Sequence, residues 1–339
     1  MGDMGMTIDL PVIWYLLIGF AVAMYVMMDG FSLGVGILFP FVRGDEQRDV
    51  MMNTVAPVWD GNQTWMILGG AGLYGAFPLA YAVILPAMYL PLILMLLALI
   101  FRGIAFEFRF KSNRSRKWFD LAFSGGAMVA TFSQGVVLGG IINGLAVSER
   151  AYQGGSFDWF SPFALFTGLA LMAGYALLGA GWLIMKTEGD LQKRFYQFSR
   201  PLTLLLVASM IIISVWTPLS NGRIAERWFT FPNIVWFAPV PILVALLSWS
   251  IWHGVTHGHE RRLFFKVLGL FFLGLSGLVI SFFPLIIPPD ITLWDASSAR
   301  ASQTFLIVGY VVLVPLVLAY TAYSYYVFRG KVRAGEGYH

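Results

Sequence analysis

Nine apolar runs, each about 18 residues or longer, recur along this 339-residue chain. A run of that length crosses the roughly 30 Å hydrocarbon core of a bilayer as a helix. Lipid offers no water to the backbone, so each run must satisfy its own N–H and C=O groups internally, which selects the α-helix. The sequence therefore reads as an all-α integral membrane protein with nine transmembrane helices. Their spans are 11–41, 55–74, 77–101, 121–147, 160–185, 202–219, 234–252, 263–287 and 305–328. Only 12% of residues are charged and the mean hydropathy is +0.74, against about 25% charged in a soluble domain. The first run exceeds one perpendicular crossing, so it tilts or projects beyond the lipid. The tight Gly75-Ala76-Phe77-Pro78 turn predicts that the second and third spans are antiparallel neighbours.

Orientation follows from the cations. Eighteen of the 22 Lys and Arg residues fall in connections on one side of the nine spans. The other side keeps Arg150, Arg223, Arg227 and Arg300. The positive-inside rule then places the N-terminus outside and the C-terminus inside. The net charge of +4 reports this topology and gives no reason to expect nucleic acid. No basic segment precedes the first run, so a cleaved signal peptide is not expected.

Against this background the stretch Trp59-Asp60-Gly61-Asn62-Gln63-Thr64-Trp65 stands out. An ionised side chain at mid-span costs about 2.5–3.5 kcal/mol on insertion scales, so such residues face a partner, a cavity or a proton path. Helical periodicity puts Asp60, Gln63 and Thr64 on one stripe, with Asn53 a heptad earlier. Asp29 and Asp60 are the only acids inside a predicted span. At 1.5 Å per residue Asp29 lies roughly 27 Å from the outer end of the first span, and Asp60 roughly 8 Å from the inner surface. Arg102, Glu107 and Asp120 flank the third-to-fourth connection on that same inner side. The ionisable groups thus converge where either a proton entrance or a stabilising ion-pair network would sit. Asp29 paired to Arg102 purely to hold helices together is the structural form of the second reading.

Other features read more simply. Gly34-Val35-Gly36 and Gly69-Gly70-Ala71-Gly72 are small residues suited to close helix packing. Trp65 is either core filling or the lining of a path for something small and apolar. Without cysteine there is no thiolate ligation and no disulfide. His253, His257 and His259 lie at the inner end of the seventh span and His339 ends the chain. The three could bind a metal, but a solvated loop is the favoured reading. No phosphate-binding loop and no nucleophile with a matching base is present.

Four motifs occur in order: Asp29-Gly30-Phe31-Ser32-Leu33-Gly34; Pro57-Val58-Trp59-Asp60-Gly61-Asn62-Gln63-Thr64-Trp65; Ala76-Phe77-Pro78-Leu79-Ala80-Tyr81-Ala82; and Phe101-Arg102-Gly103-Ile104-Ala105-Phe106-Glu107-Phe108-Arg109. Together they resemble subunit II of the bacterial cytochrome bd-type quinol oxidases, and the chain length resembles the cyanide-insensitive branch. The resemblance implies two four-helix bundles, about 11–147 and 160–287, plus a peripheral helix at about 305–328, all in one polytopic domain of the bacterial inner membrane. It implies a partner, subunit I, carrying haem b and haem d, with no haem ligand in this chain. A small accessory subunit and a bound quinone or lipid are compatible with it. The implied activity is reduction of dioxygen to water with electrons from quinol and cytoplasmic protons. By the same resemblance Asp60, with Asp29, Gln63 and Thr64, belongs to a proton route and Trp65 to an oxygen path. Arg102, Glu107 and Asp120 would support assembly or the haem site. Ser32 departs from the family, which often carries an acid there. The alternative class is a secondary transporter with parallel helix repeats, which lacks support in paired Gly/Pro breaks and in acids of the second half.

Overall fold

The computed structural model describes residues 9–112, 114–220, 222–257 and 260–335. Among them, eight helices are long and apolar enough to cross a membrane, and a bent pair raises the number to nine. The long helices are α1 (Leu10–Leu38), α3 (Trp59–Ala76), α5 (Tyr89–Phe108), α6 (Arg116–Asn143), α7 (Pro162–Lys186), α8 (Gly189–Ser220), α11 (Pro239–His257), α12 (Glu260–Phe282) and α13 (Arg300–Val327). Shorter helices are α2 (Asp45–Asn53), α4 (Pro78–Ala87), α9 (Gly222–Phe229) and α10 (Asn233–Phe237).

Helix ends follow local chemistry. The Asp9 side chain caps α1 by accepting the Val12 amide at 3.3 Å, and Ser161 does the same for α7 through the Ala164 amide at 3.2 Å, each just ahead of a proline in the first turn. Gly144, at φ +90°, ends α6 in a conformation that favours glycine.

The spans depart from expectation in three places. The second span does not begin at residue 55: a separate charged helix, α2, ends at Asn53, and α3 starts only at Trp59. Asn53 is therefore not on the α3 stripe. The third span divides in two. The chain bends by 119° between α3 and α4, so the tight turn is no simple hairpin, and the helix breaks again at Met88. Pro91 has no N–H for the Ala87 carbonyl and its ring crowds that turn, which accounts for the second break. The seventh span begins as α10, broken before Pro239. Its helix continues through His253 and His257, so these two histidines are helical and do not lie in a loop. His259 and His339 lie outside the described residues.

Two small hairpins close the end opposite the basic connections. β1 (Val147–Ser148) pairs with β2 (Ala151–Tyr152) around Glu149 and Arg150, both at positive φ, as a two-residue primed turn requires. β3 (Leu285–Ile287) pairs with β4 (Ile291–Thr292), and Leu145 and Ser298 tie this end together through bonds to the Pro288 and Ala76 carbonyls.

Helices α1, α6 and α7 make the centre. α1 packs along α3, α6 and α7; α6 also packs along α5; α7 packs on α8 and α12. Small residues permit this closeness. A Cβ on Gly34 would lie 1.8 Å from the Tyr175 carbonyl oxygen, and one on Gly179 would lie 2.4 Å from the Gly34 carbonyl carbon. α13 lies mainly on α3 and α1.

Candidate functional site

The buried polar centre is built around Asp29 on α1. Arg102, reaching from α5, donates to both carboxylate oxygens at 3.0 Å and also to the Ser32 hydroxyl. Asp29, Ser32 and Arg102 are all fully buried. The bidentate fork matches the planar carboxylate, which makes Arg the suitable cation here. Gly126 of α6 gives the arginine its room: a Cβ there would lie 3.1 Å from Arg102 Cβ and 2.6 Å from the Ala98 carbonyl oxygen. The serine at 32 supplies a neutral acceptor where an acid would compete with Asp29 for the same guanidinium.

Two further polar groups surround this pair. One turn away on α1, the Tyr25 hydroxyl accepts from Gln134 Nε2 at 2.8 Å. Tyr175 donates to Gln134 Oε1 at 3.2 Å, so α1, α6 and α7 share one polar contact. On the other side, Asn62 of α3 is 1% exposed. It donates to the Met28 carbonyl at 2.9 Å and accepts from the Tyr325 hydroxyl of α13 at 2.9 Å.

Asp60 stands apart from the buried pair. It occupies the first turn of α3, a favourable place for an anion beside free helix N–H groups. Its side chain is on the exposed face, and no hydrogen bond or ion pair joins it to another described residue. The proton stripe is therefore not one continuous line to Asp29. Gln63 and Thr64 are half-buried, and Gln63 Nε2 is buried without an acceptor. Ile67 and Tyr74 continue the exposed face along α3. Trp65 is wholly buried and meets Phe20 edge-on at 5.7 Å.

Nearer the basic connections lies an ion cluster that joins α2, α5 and α6. Asp120 accepts from Arg48 at 2.8 Å and from Arg109 at 2.5 Å. Arg109 also pairs with Asp49, which Arg116 reaches in turn. Arg109 is fully buried, so its two carboxylates offset a substantial desolvation cost. Glu107 is not in this cluster; it is exposed and pairs with Lys111 one turn on.

Sequence reasoning placed Asp29 with Arg102 as one of two readings, and the geometry shows the pair. It grouped Asp60 with them and did not single out Asn62, Tyr25, Gln134, Tyr175 or Tyr325. The amide in Asp60-Gly61-Asn62 was a signal for the first of these. A tyrosine in an aromatic-rich tail carries none.

His253 and His257 stack at 4.0 Å on the exposed side of the last turns of α11.

The family model described as cytochrome bd terminal oxidase subunit II matches residues 10–328. The chain is similar to the cytochrome bd-I ubiquinol oxidase subunit 2 of Escherichia coli (strain K12), at 29% identity over 94% of each chain. It is similar also to the cytochrome bd ubiquinol oxidase subunit 2 of Bacillus subtilis (strain 168), at 26% identity over 96% of this chain and 97% of that one. A chain in the structure of bd oxidase from Geobacillus thermodenitrificans shares the fold, with a TM-score of 0.76, 18% identity, and coverage of 95% and 99% of the two chains.

Proposed function

The chain belongs to the cytochrome bd terminal oxidase subunit II family, and from that premise we propose that it is the non-haem subunit of a bacterial quinol:O2 oxidoreductase. On this reading it pairs in the inner membrane with a subunit I that binds haem b and haem d, which supply electron transfer and oxygen binding when present. The complex reduces dioxygen to water with quinol electrons and cytoplasmic protons, and so generates proton-motive force. The basic connections face the cytoplasm and the N-terminus faces outward. The long helices α1, α3, α5 and α6 form one four-helix bundle, α7, α8, α11 and α12 the second, and α13 is the peripheral helix.

One observation carries the functional reading: Asp60 is an acid on the exposed face of α3, with no hydrogen bond or ion pair to it among the described residues. Lipid would make that carboxylate costly. A polar cleft against subunit I would make it useful. A carboxylate placed between water and such a cleft is the kind of group that relays protons. Gln63, with an unused buried N–H, and the Thr64 hydroxyl extend the polar line toward the membrane interior.

Asp29 has a different part. Arg102 occupies both its oxygens, so Asp29 joins the route only when the guanidinium releases one of them. Arg102 and Asp120 then serve assembly, each through an ion pair that joins helices. Glu107 would act at the surface. Trp65 lines the wall of an apolar oxygen path, supported by its burial against Phe20.

Replacing Asp60 by Asn in the intact complex tests the relay. Quinol-driven oxygen consumption is expected to fall on the order of tenfold or more with the haem absorption spectrum unchanged. Unchanged turnover in a normally assembled variant would sink the relay role. Loss of haem and of the complex would instead make Asp60 a residue that holds the subunits together.

A further inference from the structure

Among the described residues, Asn62 makes a side-chain hydrogen bond that connects the helix bearing Asp60 to the backbone beside Asp29. Its amide donates to the Met28 carbonyl, the peptide oxygen immediately ahead of Asp29. Two residues before Asn62, Asp60 sits in the first turn of the same helix. In the same turn Trp59 stacks on Phe106 of α5 at 4.8 Å, so Asn62 supplies the polar tie to α1 beside an apolar one to α5. Gly61 faces the Tyr320 ring, where a Cβ would lie 2.9 Å from an aromatic carbon. The amide of Asn62 is itself oriented: a neutral amide can flip its oxygen and nitrogen, and the Tyr325 hydroxyl, donating at 2.9 Å, fixes the oxygen toward α13.

Tyr325 is in turn held from α7 and α1. Its ring meets Trp182 and Phe31 edge-on at 6.0 and 6.2 Å. One turn further on, the Lys186 ammonium donates to the carbonyls of Phe328 and Gly330, satisfying acceptors that the end of α13 leaves open. The Val332 amide returns a bond to the Lys186 carbonyl at 2.8 Å. The peripheral helix is thus pinned at its end, and the pin sets where Tyr325 stands.

We propose that Tyr325, acting through Asn62, is a positioning residue for proton delivery: it fixes the Asp60 turn of α3 against the Asp29–Arg102 pair. This rests on the proton-relay reading of Asp60. Removing the Tyr325 hydroxyl leaves Asn62 Oδ1 without its donor and the bond to Met28 as the amide's remaining tie, which loosens the turn that presents the carboxylate. Placement errors of about 1 Å in reacting groups cost up to about 100-fold in rate, so one lost orienting bond should cost less than that.

The test uses the holo complex with three variants: Tyr325→Phe, Asp60→Asn and the double substitution. Phenylalanine keeps the ring contacts, so folding is spared. Tyr325→Phe is expected to lower kcat for quinol-driven oxygen consumption by roughly three- to tenfold, with KM for quinol and the haem spectrum unchanged. Its rate should begin to fall at lower pH on the alkaline side, where a slowed proton supply first limits turnover. In the Asp60→Asn background it should cost nothing more, because both changes act on one element. If Asp60→Asn is slow but Tyr325→Phe is normal, the positioning role is overturned and the relay stands. If Asp60→Asn turns over normally, the relay itself fails and this inference goes with it. Additive losses, or a Tyr325→Phe defect that comes with lost haem, would also overturn it by making Tyr325 merely structural.

Discussion

Arg102 grips both oxygens of Asp29 at 3.0 Å, and neither side chain has any exposed surface. The two residues come from helices far apart in sequence and meet in the interior of the fold. Such a pair is weak evidence of net stabilisation, because desolvating two charges offsets most of their attraction. Its loss on one side is another matter.

Substituting Arg102 by Met leaves a buried, unpaired carboxylate and should cost about 3–5 kcal/mol. The complex is expected to melt at lower temperature, followed by haem absorbance on heating. Lysine at 102 keeps the charge but not the fork, so it should recover only part of the loss. Replacing both partners with apolar residues of similar volume should restore much of the melting temperature. A single Arg102→Met variant as stable as the parent would show that the pair does not hold the helices.

Gly34 and Gly19 both lie on α1 and should respond oppositely to alanine. At Gly34 the added methyl would lie 1.8 Å from a backbone oxygen of α7, which cannot move without parting the two helices. At Gly19 nothing lies within 4 Å. Gly34→Ala is therefore expected to abolish accumulation of the complex in membranes, as read by its haem bands. Gly19→Ala should leave those bands at parental intensity.

Topology can be read directly because the chain has no cysteine. Ser156, in the connection after the β1–β2 hairpin, and Ser115, just ahead of α6, are both exposed. A membrane-impermeant maleimide added to spheroplasts should label Ser156→Cys and leave Ser115→Cys unmodified until the membrane is opened. The reverse pattern would overturn the orientation drawn from the cations.

Much of the architecture was legible because lipid is an unforgiving solvent. Long apolar runs must become helices, and α6, α7 and α13 match their runs to within a few residues. What hydropathy missed was the structure written in polar or proline-bearing segments. α2 is charged and shows no apolar run, yet its Arg48 and Asp49 anchor the ion cluster. The break at Met88 follows from Pro91, but a proline inside an apolar run is compatible with either a kink or a continuous span. Asp60 stands out in the sequence as an acid in an apolar run. Its direction was not legible, because where α3 starts decides which face it presents.

By itself, then, the sequence determined the class of fold, the family and the chemical types available at the site. Those follow from local composition and from motifs that stay together along the chain. Only the tertiary structure decided which of these groups meet. It brought Arg102 to Asp29 across 73 positions, joined Asn62 to Tyr325 across 263, and left Asp60 on an open face. Pairings of that kind depend on helix rotation and on close backbone approach at glycines such as Gly34. Both are set by the packing of the whole bundle and not by any stretch of residues within it.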